Sequence, residues 1–404
     1  MNGSTIMIFT GKGGVGKTSL ISAHALTSAR MGDRTLLVSA DMAHNLGDIF
    51  EVETGGRLTR IEENLDILEL DPLRIMQEEF PQVNRAVLEM LSGKKSVPDA
   101  AGRFMVPGFE DLFSLLKIKK IYEEGTYRRI FVDCAPSGET LSLLRLPEML
   151  SWYIEKFFPV GKAMTRILRP VSGTLFKVQL PDGGAMDEFS DLFKELNALQ
   201  GILRDPAVTG VRIVCIPEKM VVEETKRTYM YLNLYGYHVG RVFINRVIGE
   251  QQGNAFMARW REIQREYIDE LERVFSQIPI TKIRWHETEI CGRQALMELC
   301  AELPGPDELF AAADGDAGET YEAEGDGYRL RVALPGLAAD GSGASAGEDD
   351  GGPEVARFGR DLDIRAGNCL RRIPLPDVLR QMDIKEVRRE KDALTVLFLP
   401  AGAQ

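Results

Sequence analysis

The chain has 404 residues, 44% of them hydrophobic, and carries a formal net charge of −12, which sets its surface as a whole against nucleic-acid phosphates. Its five cysteines are odd in number and include no C-x-x-C pair, so a disulfide framework is not expected and a reduced, cytoplasmic setting is. No run of 18 or more uncharged apolar residues appears, so no transmembrane helix is predicted, and the first strand starts too close to Met1 for a signal peptide.

Thr5–Thr10, TIMIFT, has the composition of a short buried parallel strand. Gly11, Lys12, Gly13, Gly14, Val15, Gly16, Lys17 and Thr18 then satisfy G-x-x-x-x-G-K-[ST], and a helix follows from Ser19 until Gly32 stops it. Strand, glycine loop and helix in that order predict a phosphate cradle for ATP. Backbone N–H groups of the loop face phosphate oxygens, Lys17 reaches the β- and γ-phosphates, Thr18 ligates Mg²⁺, and Ser19 is expected to join the loop residues in binding the nucleotide.

RTLLVSAD (34–41) reads as a second buried strand. A carboxylate at the C-terminal end of a parallel strand faces the ligand crevice, so Asp41 is placed to orient the attacking water. Two readings stay open for Asp48: contact with Mg²⁺ through water, or a helix cap. IFVD (130–133) reads as a third strand, and Asp133 at its end holds Mg²⁺ through water. Pro136, Ser137 and Gly138 form a turn near the γ-phosphate, able to sense hydrolysis and pass the change to the helices beyond Pro147.

Apolar residues recur at helical spacing at Ile75, Met76, Phe80, Val83, Val87 and Met90. A second such region runs from Met149 through Phe158 and Val171 to Met186, Phe189, Leu192, Phe193, Leu196 and Leu199. These predict a helical subdomain at about 72–127 and 148–205. The stripes are open to two readings, a groove for an apolar client helix or the subdomain's own core.

From about Ala311 the chain turns small and acidic, which reads as a linker over 311–327. YRLRVALPG then alternates like a half-buried strand, and DLDIRAG, CLRRIPLP, IKEVRRE and ALTVLFLP supply more, with a disordered excursion expected at 338–354. Residues 328–400 are therefore expected to form a small β-sandwich.

The first lysine of GKGGVGKT resembles the deviant Walker A loop, in which the early lysine reaches the nucleotide of the other subunit. D-x-A-H-N-L-x-D from Asp41, D-x-A-P-S-G-x-T-L from Asp133, PEKMVVEETKR (217–227) and ETEICGRQALMEL (287–299) are similar to the arsenical-pump and guided-entry ATPases, over about residues 1–303. V-x-L-P-G, D-L-x-I-x-x-G-N and I-P-L-P resemble the α-crystallin domain of small heat-shock proteins. The resemblance implies an α/β P-loop NTPase (1–310) with a mostly parallel sheet, flanking helices and the helical subdomain, followed by an α-crystallin-like domain. It also implies a homodimer in which Lys12 acts in trans, and an Asn245 that hydrogen-bonds adenine.

The function expected from this resemblance is a cytoplasmic Mg-ATPase that chaperones or targets hydrophobic, tail-anchored clients, with transient contact to a membrane or receptor. The alternatives are a metalloid- or anion-transport ATPase subunit and a nucleotide-dependent regulatory scaffold. The family's zinc-binding C-x-x-C pair is absent, so no structural zinc is expected. Cys134 reads either as a small residue after a buried strand or as a cluster ligand. The C-terminal domain either packs on the ATPase domain and stiffens the dimer, or holds apolar client segments.

Overall fold

The computed structural model describes residues 3–40, 45–79, 110–134, 183–250, 255–276, 278–312, 319–334, 353–359, 361–366, 369–375, 379, 381–390 and 393–400. The chain divides into two compact units. One comprises Met1–Thr10, Gly16–Thr209 and Thr288–Leu309; the other comprises Gly11–Val15, Gly210–Glu287 and Phe310–Gln404.

In the first unit, strands run in the order β3 (Thr59–Glu62), β4 (Leu65–Glu69), β2 (Thr35–Ser39), β5 (Arg129–Asp133) and β1 (Thr5–Thr10). All pairs are parallel except the edge pair β3–β4. Near-continuous apolar runs such as IMIF and LLV suit strands covered on both faces, and Ile6, Ile8, Phe9, Leu36, Leu37 and Val38 are at most 2% exposed. Helix α1 (Lys17–Arg30) buries His24 completely, with Nδ1 2.6 Å from the Leu20 carbonyl and the ring edge-on to Phe9 at 4.8 Å.

Helices α2 (Asn45–Phe50), α3 (Pro72–Glu79), α4 (Glu110–Glu124) and α5 (Gly183–Arg204) complete this unit with α8 (Gly292–Cys300) and the short α9 (Pro306–Leu309). Lys119, only 4% exposed, bridges α4 to α5 by donating to Glu195 at 2.7 Å while also meeting Glu123 at 2.6 Å. Ile75, Met76, Leu196 and Leu199, from the two apolar stripes, are 7%, 0%, 0% and 0% exposed. At these four positions the stripes are core. The remaining stripe members lie outside the residues whose side chains are described. Strands β3 and β4 were not expected from the sequence. In β4 the polar Asp66 and Glu69 break the apolar pattern, yet both are buried because each is hydrogen-bonded.

In the second unit β6 (Thr209–Cys215), β7 (Val239–Val247) and β8 (Ile280–Arg284) are parallel neighbours in that order. Helices α6 (Lys219–Leu234) and α7 (Ala255–Val274) belong with them, joined by a 2.8 Å ion pair from Lys226 to Glu270. Two antiparallel sheets follow. The first has the order β14 (Met382–Glu390), β15 (Ala393–Pro400), β10 (Gly327–Ala333), β9 (Glu319–Glu324). The second has the order β11 (Glu354–Phe358), β12 (Asp361–Ala366), β13 (Cys369–Pro374). Alternating Leu330, Val332, Leu362, Ile364, Val396 and Phe398 are all 0% exposed and form the core here.

Residues 319–324, read from their acidic composition as linker, are strand β9: backbone pairing with β10 from Glu324↔Gly327 to Glu319↔Val332 outweighs the poor β-propensity of glutamate. Strand β11 begins at Glu354, the last residue of the stretch expected to be a disordered excursion, and the described part of that stretch is otherwise Pro353 alone. The mostly parallel α/β architecture and the antiparallel C-terminal sheets agree with the fold class expected from the sequence.

Candidate functional site

The glycine loop is built by two close constraints. Gly11 has φ +148°, and a Cβ there would lie 2.1 Å from the Val214 carbonyl oxygen at the end of β6, so a side chain cannot be accommodated. Gly16, at φ +94°, is the cap of α1 and contributes no side-chain hydrogen bond; the first turn holds no acidic residue. A helix that starts in this way turns backbone N–H groups and its positive dipole end toward an anion. Lys17, the first helical residue, is 7% exposed.

Within the first unit, Thr18 Oγ1 donates to Asp133 Oδ2 at 2.7 Å. Asp133 is 1% exposed and ends β5, where it is the register partner of Phe9 in β1 and Ser39 in β2. The Asp133 carbonyl accepts the Ala40 N–H at 2.9 Å, and Cys134 N–H reaches the Phe9 carbonyl at 3.3 Å. A hydroxyl and a carboxylate converging at strand ends are hard oxygen donors. That set fits Mg²⁺, which takes one or two protein oxygens and keeps waters and phosphates for the rest. Among the described residues, no group of three or more His, Cys, Asp or Glu could hold a metal ion.

Asp41, and Pro136, Ser137 and Gly138 of the expected switch, lie outside the described residues. Asp48 is exposed and is the fourth residue of α2, past the capping position. The cap is Glu69 of β4: its Oε1 accepts the Leu46 and Gly47 N–H groups at 3.0 and 3.1 Å, and its Oε2 accepts the Thr54 hydroxyl. Sequence reasoning missed Glu69 because the partner lies 23 residues downstream on another element.

In the second unit, Asn245 is 6% exposed near the end of β7, and its amide Nδ2 donates to the Val15 carbonyl of the glycine loop at 2.8 Å. Its Oδ1 accepts the N–H of Arg246, a residue at φ +56°. Asn245 thus fastens the loop to the strand end. Lys12 Nζ lies 3.2 Å from Glu224 Oε2 in α6, with side chains 34% and 28% exposed. Glu224 had no assigned role in the sequence.

Cys134 and Cys215 are buried, Cys300 is partly buried and Cys291 is exposed; all four are free thiols. Burial pushes the Cys215 thiol up to about 12. A thiol held that far from its thiolate form is a poor soft-metal ligand at neutral pH. Among the described residues no helix is long and apolar enough to cross a membrane.

Residues 4–305 match the family described as anion-transporting ATPase, and residues 349–398 match the HSP20-like domain found in ArsA. A putative arsenical pump-driving ATPase 1 of Aquifex aeolicus (strain VF5) is 30% identical over 408 residues, covering 97% of this chain and 99% of that protein. A putative arsenical pump-driving ATPase of Chlorobaculum tepidum is 35% identical over 337 residues, 81% of this chain and 82% of that protein. An ATPase get3 of Pyrenophora tritici-repentis is 28% identical over 308 residues, 73% of this chain and 90% of that protein.

Proposed function

Because the chain belongs to the anion-transporting ATPase family and ends in its HSP20-like domain, we propose that it works as a homodimeric, Mg²⁺-dependent ATPase that changes shape to handle hydrophobic client proteins. The observation that carries the chemistry is the 2.7 Å hydrogen bond from Thr18 to Asp133, set beside an uncapped helix start and the glycine loop. Thr18 would hold Mg²⁺ and Asp133 would hold it through water, and the ion would supply charge neutralisation to the phosphates.

The protein's own groups do the rest. The loop N–H groups and Lys17 fix the phosphates. Asp41 accepts a hydrogen bond from the attacking water and aims it at the γ-phosphorus. The new P–O bond forms as the bond to the bridging oxygen breaks, leaving ADP and inorganic phosphate. Lys12 of the partner subunit neutralises the charge that develops, so turnover depends on dimer closure. Asn245 holds the loop and lies beside the adenine. Residues 136–138 pass the loss of the γ-phosphate to the helices that follow.

The client reading is supported by the likeness to get3 over 73% of the chain and by the HSP20-like domain. In this reading the protein is cytoplasmic, touches a membrane or receptor only transiently, and needs no structural zinc. The names of the two bacterial relatives favour a second reading, an ATPase that drives an arsenical pump.

Mixing two inactive variants of the full chain tests the dimeric mechanism. Lys12→Ala keeps Asp41, and Asp41→Asn keeps Lys12, so a mixed dimer has one complete pocket and regains turnover. Mixtures that stay inactive while both proteins bind ATP would refute the shared pocket. Co-purification with a peptide bearing an apolar helix of ~20 residues supports the client reading. Arsenite stimulation that disappears in a cysteine-free variant would favour the pump reading instead.

A further inference from the structure

A cavity of about 450 Å³ is lined by residues of β2, β4, α3 and α4, all in the first unit. Small-molecule sites have volumes of about 300–1,000 Å³. Its floor is apolar: Leu36, Leu70, Ile75, Ile121 and Tyr127 line it, each at most 7% exposed. Leu58, 56% exposed, carries the apolar wall out to solvent.

The charges around this floor do not balance. Among the described residues five carboxylates line the cavity against three cations, which leaves two negative charges unmatched. Arg74 Nε meets Glu78 at 2.8 Å, and Lys117 meets Glu79 at 2.5 Å. Arg57 then remains to set against Glu69, Asp71 and Glu124. Glu69 accepts from neutral donors, the Leu46 and Gly47 N–H groups and the Thr54 hydroxyl. Asp71 accepts the Arg74 backbone N–H at 3.1 Å.

Glu124 is the last residue of α4, after Glu123, and the last turn of this helix holds no basic residue. Lys119 meets Glu123 at 2.6 Å, Lys120 meets Glu79 at 2.8 Å, and Glu124 lines the cavity. The negative end of the helix dipole lies at the same place, where a cation is stabilised and a carboxylate is not. An apolar floor beside surplus negative charge suits a ligand with a hydrocarbon body and a positive head.

We propose that this cavity binds a small organic cation of the aryl- or alkylammonium class, with its ammonium at Glu124 and its hydrocarbon on the floor beside Ile121 and Tyr127. A neutral molecule of the same shape gains only the burial, and an anionic one meets the surplus carboxylates. No lining residue belongs to the glycine loop, so the site does not depend on the ATPase mechanism.

The test uses the full chain saturated with Mg²⁺ and ADP. Calorimetric titrations at pH 7 and fixed ionic strength compare phenethylammonium, 2-phenylethanol and 3-phenylpropionate, which share a phenyl ring and differ in charge. Phenethylammonium is expected to bind at least about fivefold more tightly than the alcohol, and the propionate most weakly. Glu124→Gln, a change at an exposed helix end, is expected to weaken the ammonium about fivefold and to leave the alcohol unchanged. Glu124→Lys is expected to reverse the order of ammonium and propionate. Absence of saturable binding by all three, equal affinities among them, or wild-type affinity for the ammonium in Glu124→Gln overturns the proposal. Should the variants fail to fold, wild-type crystals soaked with 4-bromophenethylammonium decide the matter. An anomalous bromine peak beside Ile121 and Tyr127 supports the site, and a peak confined to other positions overturns it.

Discussion

Lys12 of the glycine loop is ion-paired, at 3.2 Å, with Glu224 of its own chain. To act in trans as proposed, Lys12 must leave this anchor first. Such partly exposed ion pairs are worth at most about 1 kcal/mol each, and a symmetric dimer opens two, so Glu224→Gln is expected to lower the protein concentration for half-maximal turnover by up to about 30-fold. ATPase rate measured across a dilution series checks this. A change in rate that is the same at every dilution would instead place Lys12 on its own nucleotide.

The Thr18–Asp133 contact predicts a specific metal defect. Asp133→Asn keeps the shape and a hydrogen-bond acceptor but loses the charge. Mg²⁺ dependence of turnover is expected to shift to about 10–100-fold higher concentration, with the folded state retained. Magnesium titrations of ATP hydrolysis, alongside circular dichroism, provide the measurement.

Asp41→Asn is expected to leave ATP binding nearly intact while slowing hydrolysis by about 10²–10⁴-fold. Single-turnover kinetics separate the two effects. Unchanged hydrolysis removes Asp41 from the mechanism.

Tyr127 donates to Asp66 Oδ2 at 2.9 Å, and burial, followed by that carboxylate, pushes its phenol from 10 up to about 12. A raised folded value means that its contribution to stability is complete below pH 10 and fades as pH climbs toward 12. Tyr127→Phe should therefore flatten the loss of stability over that interval, by at most about 1.4 kcal/mol per pH unit. Denaturant melts at pH 9, 10 and 11 would reveal it; parallel curves for the two proteins would contradict it.

Arg371 of β13, 4% exposed, donates to the Leu234 carbonyl and, at 3.4 Å, to the Asn233 carbonyl at the end of α6. Tyr235 Oη returns a hydrogen bond to the Leu370 carbonyl at 3.2 Å. A cation at a helix C-terminus also meets the negative end of its dipole. Arg371→Ala is expected to cost about 2 kcal/mol locally. Amide exchange should quicken in β13 and in the last turn of α6, while the amides of β1 and β5 keep their protection.

What could be read from the sequence followed local pattern. TIMIFT before the glycine loop, and IFVD ending in Asp133, are contiguous signals, and β1, α1 and β5 lie where they predict. The partners of those residues were not legible, because they come from register and long-range packing. Glu224 stood in the sequence only within the family-like stretch 217–227, and Glu69 drew no reading because β4 itself was not expected. Arg212 and Arg241, 29 positions apart, resemble ordinary outward-facing strand residues until β6 and β7 are aligned and both prove buried. Strand β9 was hidden by its glutamates, which suit solvent and do not interfere with the backbone ladder to β10.

Helix α6 has sixteen residues, a stiff rod of roughly 24 Å. Near its start Glu224 grips the loop lysine, and its final carbonyls are gripped by Arg371 of the C-terminal sheets. One rigid helix is therefore tied at two places, to the loop lysine through Glu224 and to the C-terminal sheets through Arg371.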